Sequence, residues 1–229
     1  MQTSMAHGNH NEATTLQAQA ALLGVPLAAA QAAALLQLLT ELAQWNRAYN
    51  LTAVEAREHM ITHHLLDSLA ASADLRGERI ADLGTGAGFP GLPLAIAHPQ
   101  RHFTLIDGTA KKIRFVTHAV RVLGLKNVQA LHQRVESLAG GTPFDTLLAR
   151  AVSSLPALAQ LALPLTHAGT RLIAYKGQRP DAEIAALPAP WRVLEVRAIK
   201  VPGLAAERCL VVLEAGPAGG AVPAGSPAA

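Results

Sequence analysis

Cysteine is almost absent from this chain. Cys209 stands alone among 229 residues, which excludes an internal disulfide and suits a reducing compartment. It lies in an apolar, strand-like run and reads as a buried, unreactive thiol. Aromatic residues are scarce too, at 3%, while half the chain is hydrophobic, so the core must be built from Ala, Leu and other aliphatic side chains. Charge is sparse: Lys and Arg number 19 against 16 Asp and Glu, a net charge of +3. That balance permits a polyanionic partner without arguing for one. No uncharged apolar run has the length and flanks of a membrane span. Ala18 to Leu39 comes nearest, but Gln19, Gln31, Gln37 and the break at Gly24-Val-Pro26 interrupt it. The first fifteen residues lack the basic start and apolar stretch of a secretion signal. A cytoplasmic protein with no membrane contact is expected.

What the chain does have is the stretch Ile80 to Leu94, an apolar strand followed by a glycine-rich turn and a helix start. Gly84, Gly86 and Gly88 allow a sharp turn and let backbone approach a ligand closely. Gly86-Ala-Gly-Phe-Pro-Gly91 fits the dinucleotide pattern G-x-G-x-x-G, and Asp107 follows a second apolar strand at the offset of a ribose-binding acid. S-adenosylmethionine would use the same glycine turn and acid. Asp82, just before the glycines, suits a cationic methionine end better than a diphosphate.

Around this stretch the pattern alternates as a parallel α/β sheet requires. Strands are expected at 79–83, 102–106, 127–131, 144–149 and 170–175, with helices at 90–97, 109–123, from Ser153 or Ser154 through 165, and 181–186. Runs at 192–200 and 208–213 read as an antiparallel closing hairpin. Ahead of them, 14–23 and 27–49 are helical, with Leu35, Leu38, Leu39, Leu42 and Trp45 on one face. Glu55 to Leu69 reads as a further helix. The domain expectation is a disordered tail at 1–12, a helical cap at 13–75, the ligand-binding sheet domain at 76–214 and a disordered tail at 215–229. No apolar stripe demands a second chain, so a monomer is expected. His59 and His63 have the i, i+4 spacing of a zinc pair, but the intervening glutamate of H-E-x-x-H and a third ligand are missing, so no metal is expected. On the helix at 109–123, Lys111, Arg114, His118 and Arg121 share a face that would meet RNA phosphates or simply face solvent.

The ordered set Trp45-Asn-Arg-Ala-Tyr-Asn-Leu-Thr52, His64-Leu-Leu-Asp-Ser68, Asp82 through Gly91, Leu105-Ile-Asp107, Lys111-Lys-Ile-Arg-Phe115, Arg150-Ala151 and Tyr175-Lys-Gly-Gln178 resembles the RsmG (GidB) methyltransferases. The likeness runs from about Trp45 to Leu213. It implies a Rossmann-like class I S-adenosylmethionine-dependent fold, with a mostly parallel seven-stranded sheet, an antiparallel C-terminal strand and an N-terminal helical extension. It also implies methylation of a guanine at N7 in 16S ribosomal RNA, as naked RNA or within a small-subunit particle. Carried over by position, Gly84, Gly86, Phe89, Asp107, Val135, Glu136 and Arg150 would hold the cofactor. His64, Asp67 and Lys176 would orient the guanine or its phosphate. No general base is expected, because guanine N7 carries a free lone pair. Methylation of a small molecule or protein, and a dinucleotide-dependent oxidation, are the alternatives.

Overall fold

The computed structural model describes residues 2–138, 140–151 and 153–217, with backbone alone for 2–10. Seven strands form one sheet in the order β3-β2-β1-β4-β5-β7-β6. They are β1 (Arg79–Leu83), β2 (His102–Asp107), β3 (Val128–His132), β4 (Phe144–Arg150), β5 (Thr166–Lys176), β6 (Trp191–Ile199) and β7 (Arg208–Ala215). The pairs among β1 to β5 are all parallel, and β7 inserts antiparallel to both β5 and β6. The order reverses between β1 and β4, which opens a crevice at the carboxyl ends of those strands.

Strand periodicity divides the core. Ile80, Phe103, Leu105 and Leu210 point to one face, which is covered by α1 (Gln2–Leu22), α2 (Ala29–Tyr49), α5 (Gly91–Ala97) and α6 (Ala110–Val122). Ala81, Leu83, Ile106, Val211 and Leu213 point to the other, beneath α7 (Leu155–Ala162). The leucine face foreseen on α2 is fully buried at Leu35, Leu38, Leu39 and Leu42. Gln31 fixes this helix to α5 by donating to its last carbonyls, Ile96 and Ala97, at 3.0 Å each. Those carbonyls have no partner within their own helix.

Several boundaries differ from the sequence reading, each for a local reason. A helix begins at Gln2 where a tail was expected. Leu16 and Ala20 anchor it in the core, and Glu12 is gripped through both oxygens by Arg57, at 3.0 and 2.9 Å. Once anchored, a helix extends at little cost, and no proline interrupts this one. β5 starts at Thr166 because Thr170 stitches a bulge: its hydroxyl donates to the Phe144 carbonyl at 2.7 Å and accepts from the His167 amide at 2.9 Å. The expected helix at 55–69 is instead α3 (Arg57–Met60), a π-helical turn Ile61–Leu66 and α4 (Asp67–Leu69). At the C-terminus β7 reaches Ala215, and the tail expected beyond it lies, from 218 on, outside the described residues. α8 (Asp181–Ala185) follows the β5 turn.

Candidate active site at the carboxyl edge of the sheet

The glycine loop leaves β1 with φ of 68° at Gly84, 61° at Gly86 and 89° at Gly88, left-handed values that favour glycine. Gly91 and Gly86 show what the missing side chains are for. A Cβ on Gly91 would stand 2.8 Å from an Asp82 oxygen, whereas one on Gly86 would meet nothing within 4 Å. Gly91 therefore serves packing, and Gly86 keeps an open cradle on the outer side of the loop.

Asp82 ties the loop together from inside. Its Oδ2 accepts from the Thr85 hydroxyl at 2.5 Å and the Gly91 amide at 2.8 Å, while Oδ1 is buried without a protein partner. Complete burial pushes its pKa up to about 6, against the opposing pull of those two hydrogen bonds. Across the loop, Asp107 ends β2 and is also buried. It accepts from the Gly86 amide at 3.0 Å and caps the next turn through the Thr109 amide at 2.8 Å, with Lys112 at 3.6 Å. One acceptor direction on each oxygen stays free for ribose hydroxyls. An open cradle, a buried acid lacking a donor and a carboxylate with spare acceptor capacity fit a ligand that carries both a cationic amine and a ribose.

On the other side of the crevice, Phe89 stacks on His64 at a centroid distance of 4.7 Å, and the Arg150 guanidinium lies 5.8 Å from the same ring. His64 Nε2 lies 3.0 Å from the Thr52 hydroxyl. Burial, then the charges of Arg150 and His63, push its pKa down to about 4, so the ring is neutral at physiological pH. Asp67, buried at the end of the π-helical turn, accepts from Arg150 at 3.0 Å and from Arg208 at 3.2 Å. Arg150 also donates to the His63 carbonyl at 2.8 Å. Tyr175 closes the floor, its buried hydroxyl donating to the Ser68 carbonyl at 2.6 Å. His64, Asp67, Arg150, Tyr175, Lys176 and Arg208 thus line one cavity of about 480 Å³.

The structure therefore brings His64, Asp67, Phe89 and Arg150 together beside the loop formed by Gly84 and Gly86. His64 and Asp67 share no hydrogen bond with each other and keep separate partners. Lys176 reaches this cavity, but its ammonium is held by Glu183 at 2.8 Å and the Ser153 carbonyl at 3.2 Å. The same Glu183 carboxylate caps α7 at the Leu155 amide, where Ser153 or Ser154 was expected to start the helix and neither side chain caps it. Val135 and Glu136 lie in a 3₁₀ turn after β3, Val135 packed on the core and Glu136 exposed. The rings of His59 and His63 lie tilted at a centroid distance of 5.8 Å, with His63 Nδ1 against the His59 carbonyl at 3.0 Å.

Three of the four basic residues on this face of α6 have protein partners, although Arg114 stays exposed. Lys111 donates to the Tyr49 carbonyl at 2.9 Å, Arg114 lies over the Tyr49 ring at 5.8 Å, and His118 meets Glu41 at 2.7 Å; Arg121 is exposed. Lys111, Arg114 and His118 thus contact α2, where the sequence left RNA phosphates or solvent open. Arg208 is the residue that the sequence reading missed. It enters β7 a full 141 residues after Asp67, and no local pattern links the two.

The strand order, with an antiparallel strand inserted next to the last, together with the glycine loop and the acid ending β2, defines a class I S-adenosylmethionine-dependent methyltransferase fold; a dinucleotide-binding sheet continues in the order 3-2-1-4-5-6 instead. The chain belongs to the GidB family, described as rRNA small subunit methyltransferase G, which its residues 31–211 match. It is 47% identical over 190 residues to the ribosomal RNA small subunit methyltransferase G of Xanthomonas axonopodis, covering 83% of this chain and 90% of that one. The protein of the same name from Saccharophagus degradans is 41% identical, over 93% of this chain and 96% of its own length. Among solved structures, magnesium protoporphyrin IX methyltransferase from Synechocystis, with bound SAM, shares the fold with a TM-score of 0.54 at 22% identity, covering 77% of this chain and 92% of that one.

Proposed function

We propose that this chain transfers a methyl group from S-adenosylmethionine to N7 of a guanine in 16S ribosomal RNA, acting as a cytoplasmic monomer on the RNA or on a small-subunit particle. The observation that carries this reading is the family match over 31–211, because it spans the glycine loop, Asp107, the His64–Asp67 turn and Arg150 in one alignment.

When bound, S-adenosylmethionine supplies a methyl group activated by a sulfonium. Gly84 and Gly86 would admit its backbone-like portion, Asp107 would accept from the ribose hydroxyls, and Val135 and Glu136 would flank the adenine. Phe89 and Arg150 would wall the methionine side. Asp82, with one oxygen lacking a donor, would attract the amine. His64, Asp67 and Lys176 stand where the guanine or its phosphate would be oriented, and the neutral His64 ring adds no positive charge beside a base that is becoming cationic.

No proton has to leave guanine before N7 attacks, so no side chain needs to act as a base. The chain's contribution is alignment of N7, carbon and sulfur, a factor worth roughly 7–11 kcal/mol when geometry is near attack.

The direct test is transfer of labelled methyl from S-adenosylmethionine to 16S rRNA and to small subunits from a strain lacking this gene. Label in that RNA supports the proposal. Tight donor binding with no label in either substrate would keep the fold and move the acceptor to a small molecule or a protein.

A further inference from the structure

The chain leaves α2 through Asn50, held in the left-handed region at φ 48°, and Asn46 shapes the turn that follows. Buried Asn46 accepts through Oδ1 from the Leu51 amide at 2.7 Å and from the Thr52 amide at 2.9 Å. This turn delivers the Thr52 hydroxyl to His64 Nε2 at 3.0 Å, twelve residues further along the chain. Stacking on Phe89 sets the plane of the His64 ring. It does not set how the ring is turned, because an imidazole can flip without leaving its stack. The Thr52 bond is what distinguishes one edge of the ring from the other.

The same hydroxyl accepts from the Val54 amide at 3.1 Å. A hydroxyl has one proton to give, and His64 Nε2 is the acceptor that Thr52 meets among the described residues. Thr52 therefore donates to Nε2, and the neutral ring carries its own proton on Nδ1. Nδ1, the ring nitrogen nearer the main chain, has no full hydrogen bond, but the His63 carbonyl still draws a proton onto the ring. We propose that Thr52 is a positioning residue for methyl transfer, its hydroxyl holding His64 in one orientation and one tautomer at the wall of the acceptor cavity. This inference rests on the rRNA reading above, in which His64 orients the guanine. Thr52 acts through that ring, and the glycine loop and Asp107 do not depend on it.

Thr52→Val keeps the shape of the side chain and removes the hydroxyl, while Thr52→Ser retains it. On the full chain with 15N-labelled histidine, NMR separates bare from protonated ring nitrogens, and His64 is assigned by its loss in His64→Gln. Wild type and Thr52→Ser are expected to show a proton on Nδ1 and a bare Nε2, a pattern that Thr52→Val loses. With whichever of 16S rRNA or small subunits the wild type methylates, Thr52→Val is expected to lower kcat/KM roughly three- to tenfold, the range of one neutral hydrogen bond. S-adenosylmethionine affinity should stay at the wild-type value, and Thr52→Ser should stay near wild type throughout. A proton on Nε2 in the wild type, wild-type kcat/KM in Thr52→Val, or an equal loss in the Ser and Val variants overturns the inference and leaves the rRNA reading intact. A wild type that methylates no RNA removes both together.

Discussion

The Asp67 carboxylate is buried between two guanidiniums, Arg150 at the end of β4 and Arg208 at the start of β7, at 3.0 and 3.2 Å. It joins the N-terminal helical segment to both halves of the sheet, so one side chain fixes the shape of the cavity beside the glycine loop. Removing it leaves two mostly buried cations without their anion. Asp67→Ala is therefore expected to lower unfolding stability by roughly 3 kcal/mol, read from urea denaturation. A loss well below 1 kcal/mol would mean that water replaces the carboxylate freely.

Asp107 supports the loop and is proposed to hold the ribose. Asp107→Ala should weaken S-adenosylmethionine binding by roughly ten- to a hundredfold in a calorimetric titration, the range for hydrogen bonds to a charged group, with the circular dichroism spectrum retained. Unchanged donor affinity would remove its assigned role.

Gly86 and Gly91 should separate ligand binding from packing. Gly91→Ala drives a methyl into Asp82 and Leu105 and is expected to cost about 1–3 kcal/mol of stability. Gly86→Ala has open space but a φ of 61°, so its stability cost is limited to roughly 1–2 kcal/mol of backbone strain while the methyl intrudes on the cradle. Thermal melts and donor titrations on both variants check this: the larger loss of donor affinity belongs to Gly86→Ala.

Acid should act on Asp82 and His64 in opposite directions. Asp82 has its pKa raised from 3.8 to about 6, so the folded state binds that proton more tightly; the stabilisation is full below about 3.8 and is lost as pH rises through about 6. His64 has its pKa lowered from 6.5 to about 4, so its contribution is present above 6.5 and is lost as pH falls through about 4. Each is worth about 3 kcal/mol at most, and between pH 4 and 6 the two nearly cancel. Asp82→Asn is expected to steepen the loss of stability on acidification across that window. His64→Gln should flatten or reverse it. Parallel unfolding curves for wild type and both variants would show that neither group is perturbed.

The sheet was legible in the sequence because each strand is an apolar run bounded by turn residues, and β1 was placed at 79–83 to the residue. Asp107 and the glycine loop were legible for a related reason, since strand, turn and acid lie close together in the chain. The π-helical turn was not: Ile61, Leu65 and Leu69 also satisfy ordinary helical spacing, and nothing local marks the extra residue. Nor was the Asp67–Arg208 pair, which exists only once β7 inserts next to β5. The basic side of α6 shows the same limit. Lys111, Arg114 and His118 form a basic stripe in sequence, and only the packing of α2 shows what takes their donors and charge.

The measurement that tests the central claim most directly is methyl transfer to 16S RNA, assembled as the wild-type enzyme requires, in which the target guanine is replaced by 7-deazaguanine. Ordinary RNA should yield 7-methylguanosine, and the 7-deaza RNA should accept no label at that position while donor binding stays unchanged. Label at the deaza position, or ordinary RNA methylated at another atom, would contradict attack by an unassisted N7 lone pair.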